Sequence, residues 1–177
     1  PQQAVPAQPL KAPQAVSRLE LFLSFCLSAL AMAVVGLIQK HWAGPNGLVL
    51  LIGSMAATSV LLFGAPKSPL AQPRNVLGGH VISALVGVSL RLRIPGEPWL
   101  GGALAVGAAI AAMLATRTLH PPGGATALIA VTGGPEIAEL GFLYAAIPAG
   151  ACASVLLAAA LAMNNLAPGR RYPETWR

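Results

Sequence analysis

Six stretches of the chain contain no Lys, Arg, Asp or Glu: Leu21–Gln39, His41–Pro66, Asn75–Leu90, Pro98–Thr116, Thr118–Pro135 and Leu140–Gly169. A bilayer core ~30 Å thick takes about 20 apolar residues per helix, so these gaps have the length scale of membrane spans. The 177 residues carry 11 Lys+Arg and 5 Glu, with no Asp, which makes 9% charged against 55% hydrophobic. Water-soluble domains are roughly a quarter charged. The chain therefore reads as an all-α integral membrane protein, a polytopic bundle with the lipid bilayer as its solvent.

The net charge of +6 does not indicate a nucleic-acid partner. Lys and Arg stand one or two at a time in short joints, without a basic stripe or interleaved aromatics. Cys26 and Cys152 lie inside apolar runs, and no C-x-x-C or Cys/His cluster is present, so neither a metal nor a cofactor is expected. Residues 1–17 are Pro/Gln/Ala-rich with no apolar period and read as a flexible tail. The first apolar run is too long for a signal peptide and lacks an A-x-A cleavage pattern.

Helices are expected at about Arg18–Ile38, Asn46–Phe63, Asn75–Leu90, Trp99–Thr118 and Leu140–Asn164, in a transmembrane domain of residues 18–166, with a basic tail over residues 167–177. Between the fourth and the last, the apolar stretch after His120-Pro121-Pro122 is only about 12 residues, roughly 18 Å as a helix. The expectation is thus about five full spans plus one short helix. If the short helix crosses, Lys11, Arg18, Lys67, Arg74, Arg117, Arg170, Arg171 and Arg177 fall on the side of the N-terminus, against Lys40, Arg91 and Arg93 opposite. That count of eight to three obeys the positive-inside rule, whereas a re-entrant segment gives five against six. Crossing, with both termini cytoplasmic, is the expected arrangement.

A parallel internal repeat is visible at an offset of 43 residues: Arg74-Asn75-Val76-Leu77 lies over Arg117-Thr118-Leu119-His120, and Ser83-Ala84-Leu85 over Thr126-Ala127-Leu128. Shared Ala/Leu/Val composition is the competing explanation. The second copy contains Arg117, His120, Pro121, Pro122, Gly123, Gly124 and Thr126. Pro at the first helical positions starts a helix, and a helix N-terminus with uncovered amides attracts an anion. Arg117 and His120 add positive charge there, and Thr126 a hydroxyl. The first copy offers Arg74, Asn75, His80 and Ser83 around Gly78-Gly79. Against this anion-site reading stand a Pro-induced break made for packing alone and glycines that serve only close helix approach.

His120-Pro121-Pro122, the upstream Ser68-Pro69-Leu70-Ala71-Gln72-Pro73-Arg74-Asn75 with Gly78-Gly79-His80, and the closing Asn164-Asn165-Leu166 with Arg171-Tyr172-Pro173 together resemble the HPP family of integral membrane proteins. The resemblance spans residues 18–173. It implies a small multi-helix protein, usually counted with four spans, and a transporter, since plastid and cyanobacterial members are regarded as nitrite transporters. It carries His120, Pro121 and Pro122 over as motif residues. The expected function is a transporter or channel for a small monovalent anion, nitrite first, in a bacterial inner membrane, since no plastid transit peptide is seen. A homo-oligomer is expected because 177 residues make a thin bundle. The rival readings are a membrane sensor or scaffold that binds a partner protein and, last, an intramembrane enzyme, which lacks an acid to orient His120.

Overall fold

The structure, a computed structural model, describes residues 16–176. The described residues form helices and turns, without a strand. The first, α1 (Arg18–Ile38), starts where Ser17 Oγ accepts the Glu20 N–H at 3.1 Å, the two partners of an S-x-x-E box. It runs on through π-helical and 3₁₀ turns to Asn46. The Ser17 cap fixes one end of the span; residues 1–15 of the expected tail lie outside the described residues.

The second apolar run departs from expectation. Residues 48–52 are non-helical, and the helix proper is α2 (Gly53–Ser59), continued by a π-helical turn (Val60–Gly64). That gives 12 helical residues where a full span was expected. The reason lies in Gln39, whose amide donates to Leu48 O at 3.0 Å and whose carbonyl accepts the Leu50 N–H. The side chain thereby supplies the hydrogen bonds that a helix would otherwise give this strand of backbone, as burial in a membrane demands.

Next come α3 (Pro73–Arg93) and α4 (Pro98–Ala115), each with Pro in its first turn, then the short α5 (Pro121–Thr132) and a single turn, α6 (Pro135–Ala138). The last helix, α7 (Ala151–Leu166), is preceded by a π-helical turn (Ala145–Gly150) broken at Ile147 before Pro148, whose missing N–H and ring stop a regular helix there. Among the described residues four helices are long and apolar enough to span a membrane: Arg18–Asn46, Pro73–Arg93, Pro98–Ala115 and Ala145–Leu166. The expected five full spans become four, with α2 and α5 both half-length. Four spans is also the count that the resemblance implied.

The short α5 does not double back but runs alongside α3. Asn75 Nδ2 on α3 donates to Leu119 O at 2.8 Å just before α5, and Arg91 Nη1 at the far end of α3 donates to Ala130 O and Gly133 O at 3.1 and 3.2 Å. The two helices therefore run parallel over their full common length, copy against copy of the sequence repeat. Glycines permit the approach: a Cβ on Gly87 would sit 2.6 Å from Ala127 O and 2.7 Å from Ala130 Cβ. At the opposite margin α1 buries only Ala31 and Val35 and turns Phe22, Phe25, Leu30 and Leu37 outward, as lipid contact requires.

Arg170 joins the two ends of the described chain. Its guanidinium bonds Glu20 at 2.7 Å, Ser24 Oγ at 2.8 Å and Asn164 Oδ1 at 2.9 Å. The segment expected to be a separate basic tail is folded onto the bundle. Tyr172 is buried, which holds its phenol protonated well above the ordinary tyrosine range, and it donates to Ala71 O at 2.6 Å. Gln72 Oε1 accepts the Glu174 and Thr175 N–H groups, while its amide donates to Pro66 O and Ser68 O.

With both described ends at one face, Glu136 belongs at the other. In a background with Cys26 and Cys152 replaced by Ala, single cysteines at Glu136 and Glu174 are expected to react with an impermeant thiol reagent from opposite sides of sealed vesicles. Labelling of both from one side would overturn the crossing of α5. Gly87→Ala is expected to cost about 1–3 kcal/mol through overpacking, a lower melting temperature in detergent. Gly107→Ala, whose Cβ meets nothing within 4 Å, is expected to be neutral or to gain up to about 1 kcal/mol in helix propensity.

Candidate functional site

Four fully buried polar side chains meet where the two short helices pack on α3: Thr58 from α2, His80 from α3, His120 at the start of α5 and Thr126 one turn further on. Thr58 Oγ1 lies 2.7 Å from His80 Nε2 and 3.1 Å from His120 Nε2. His80 Nδ1 lies 2.7 Å from Thr126 Oγ1, and His120 Nδ1 lies 2.8 Å from Leu70 O, in the 3₁₀ turn Pro69–Ala71. The imidazoles meet edge to face with centroids 5.0 Å apart.

Hydrogen positions follow from counting donors. A carbonyl only accepts, so His120 Nδ1 carries the proton given to Leu70 O. A neutral His120 then has a bare Nε2, which must accept the single hydrogen of Thr58. Thr58 also lies 2.9 Å from Ser54 O, but donating there would leave His120 doubly protonated in a buried site, at a high desolvation cost. Having given its hydrogen to His120, Thr58 accepts from His80 Nε2–H. His80 Nδ1 is then bare and accepts from Thr126, whose single hydrogen takes this contact at 2.7 Å over Pro122 O at 3.3 Å. The chain Thr126 O–H to His80, His80 N–H to Thr58, Thr58 O–H to His120, His120 N–H to Leu70 O is complete, neutral and directional.

The backbone makes room for this. A Cβ on Gly79 would fall 2.5 Å from His120 Cβ and 3.0 Å from Thr118 O, and one on Gly78 would fall 2.6 Å from Thr118 Cγ2. Arg74 Nη2 holds Thr116 O at 2.9 Å, so with Asn75 it ties α3 to the α4–α5 joint. Tyr144 Oη donates to Thr126 O at 3.1 Å from the far side. Ser83 Oγ is buried without a hydrogen-bond partner and would be 2.8 Å from a Cβ on Gly123. Ser54 Oγ, one turn before Thr58, is buried and unpartnered as well.

The structure thus assembles His80, His120 and Thr126, with Ser83 adjoining. It places Arg74 and Asn75 in a structural clamp. Arg117 is exposed, with its backbone in the left-handed region at φ 56°, and is not among the partners of the cluster. Pro121 and Gly124 border an apolar groove toward α4, with Val106 and Ile110. The helix start offers no amide row: Pro121 and Pro122 have no N–H, and Gly123 gives its own to His120 O at 2.8 Å. The polar groups gathered at this point are side chains rather than backbone amides. The sequence reading missed Thr58, Leu70 O and Tyr144. Ser54 and Thr58, spaced i and i+4 in an otherwise apolar run, were the visible signal for the first.

Residues 13–173 match the family description "HPP, transmembrane region". The chain belongs to the HPP family. Two curated relatives from Dictyostelium discoideum, both named only as transmembrane proteins, are 40% identical over 169 residues and 42% identical over 160 residues. These alignments cover 94% and 89% of this chain but 54% and 56% of the relatives, so it spans about half their length. No solved structure matches. The HPP motif acquires a physical meaning here: the His stands at the N-cap position and its ring completes the buried chain, and the two prolines begin that helix without leaving N–H groups to satisfy.

The tautomers are testable. In ¹⁵N-His-labelled protein near neutral pH, His120 is expected as the Nδ1–H form and His80 as the Nε2–H form, separable by Thr58→Val, which should perturb both rings. The opposite assignment would overturn the directional chain.

Proposed function

We propose that this HPP-family protein is a transporter for a small monovalent anion, with nitrite as the first substrate to test. The observation that carries the reading is the meeting of two half-length helices, α2 and α5, at a buried polar cluster inside a bundle of spans. Short or broken helices that place polar groups at membrane depth are the usual build of a transport site, and intramembrane ionisable residues mark ion or substrate pathways.

A cavity of about 610 Å³ at the face carrying the described ends supports an anionic substrate: Lys67, Arg170 and Arg171 line it against Glu20 alone. Its wall includes Pro66–Ser68, which leads directly into the Leu70 turn that holds His120. The preference for nitrite over other anions rests on the likeness to plastid and cyanobacterial family members. The distribution of Lys and Arg supports a cytoplasmic location for this face, and the thinness of a bundle of 177 residues supports a second copy as neighbour in the bilayer.

Purified protein in liposomes is expected to move nitrite down its gradient, with nitrate and formate as competitors and phosphate excluded, at a pH where passive entry of nitrous acid into protein-free liposomes is small. His120→Ala is expected to lose at least about tenfold in rate, the scale of one lost hydrogen bond to a charged group, and Arg93→Gln to keep its rate. Folded protein in tight vesicles that moves none of these anions would favour the scaffold reading.

A further inference from the structure

A buried anion needs a compensating positive charge. The groups of the cluster that titrate are His80, His120 and Tyr144, and the cations of the elements packed around it are engaged elsewhere or face outward: Arg74 on Thr116 O, Arg91 on Ala130 O and Gly133 O, Arg170 on Glu20, with Arg93 and Arg117 exposed. α2, α4 and α5 contain no Lys, Arg, Asp or Glu at all. Every hydrogen of the chain is already committed in the neutral state, so the chain as it stands offers an anion no positive charge. One added proton changes that.

We propose that the Thr126–His80–Thr58–His120 chain takes up one proton in each transport cycle, that this proton supplies the charge against which the anion binds, and that the two cross together as an electroneutral proton–anion symport. The proposal rests on the transporter reading above. The route follows from the bonds. A proton from the aqueous phase reaches Thr126 Oγ1, whose own hydrogen moves to His80 Nδ1 and makes an imidazolium. His80 passes its Nε2 hydrogen to Thr58, and Thr58 passes its own to His120 Nε2. The charge then rests on His120, and one proton leaves from its Nδ1 when the Leu70 contact opens. One proton has entered, one has left, and each hydroxyl keeps one hydrogen.

The unpartnered hydroxyls of Ser54 and Ser83 give the anion its place. α2 runs toward the Leu70 turn and α3 away from it, so both serines sit about one turn from the cluster on the side opposite that turn. They can donate to an anion that faces the imidazolium. Coupling follows from the same geometry. After one passage both rings carry the opposite tautomer, with the hydrogen of His80 on Nδ1 and that of His120 on Nε2. A second proton cannot follow until the rings turn over. Both are buried and bonded at both nitrogens, so they turn only if α2 and α5 part, which is the conformational step of a carrier.

The test uses the full chain in proteoliposomes, with nitrite as the probe, an internal pH dye, and membrane potential set by valinomycin and potassium, after subtraction of nitrous acid entry in protein-free vesicles. The expected result is one proton per nitrite, a rate that rises with an inward pH gradient and a rate that does not respond to membrane potential. Thr58→Val is expected to lower this flux at least tenfold, with Thr58→Ser restoring it; Thr126→Val and Thr126→Ser serve as the second pair if Thr58→Val fails to fold. Protein-dependent nitrite flux that follows membrane potential and carries no proton would overturn the symport and leave the transporter reading standing. Proton coupling that survives both valine variants would overturn the assigned route. Absence of flux for nitrite, nitrate and formate would overturn the transporter reading and the proposal with it.

Discussion

One hydroxyl holds the centre of this molecule together. Thr58 Oγ1 has a single hydrogen and two imidazoles within hydrogen-bonding distance, and its choice of partner sets the protonation of both. In water such a choice would matter little, because solvent completes any arrangement. In lipid each polar group must find its partner inside the protein, so three helices and a turn have to arrive in register at once. The half-length helices, the glycines beneath His120 and the hydrogen bonds of the α4–α5 joint are all arranged around that meeting.

The HPP motifs are distant in sequence and adjacent in space for the same reason. Leu70 O receives His120, and its neighbour Ala71 O receives Tyr172. Gln72, next in the chain, grips the backbone of Glu174 and Thr175. Three consecutive residues between α2 and α3 thus tie the His-Pro-Pro helix to the segment after α7. The terminal face is a fastened plate, and the basic cavity is cut into it.

Much of this was legible beforehand. Charge-free stretches located the spans, Pro121-Pro122 located the start of a short helix, and the 43-residue offset paired α3 with α5. The second span was misread because Gln39, whose side chain replaces helical hydrogen bonds over residues 48–50, looks in sequence like an ordinary interfacial residue. Of the residues singled out in the sequence, the structure brings three together. His80, His120 and Thr126 announce themselves as polar residues in apolar surroundings. Thr58 is 62 residues from His120 and Leu70 is 50, and neither composition nor period reports a contact of that range. Arg117 was attractive for its charge, but a backbone carbonyl and two hydroxyls satisfy the histidines without it. The prolines also removed the amides from which an anion site had been expected.

Two helical segments of 12 residues, α2 with its π-helical turn and α5, also bear on how the protein is made. A segment of that length, carrying Ser54, Thr58 and Ser59 in one case and Thr126 in the other, gains too little from lipid to leave a translocon and stay across the bilayer alone. α2 has to be retained with α3 beside it, and α5 waits for the α3–α4 hairpin already in place, whose glycines receive it. The bonds from Tyr172 to Ala71 and from Glu174 and Thr175 to Gln72 form late, because the later partner of each emerges from the ribosome after α7. Folding of this chain is therefore an assembly reaction in which the α3–α4 hairpin receives the helix that follows.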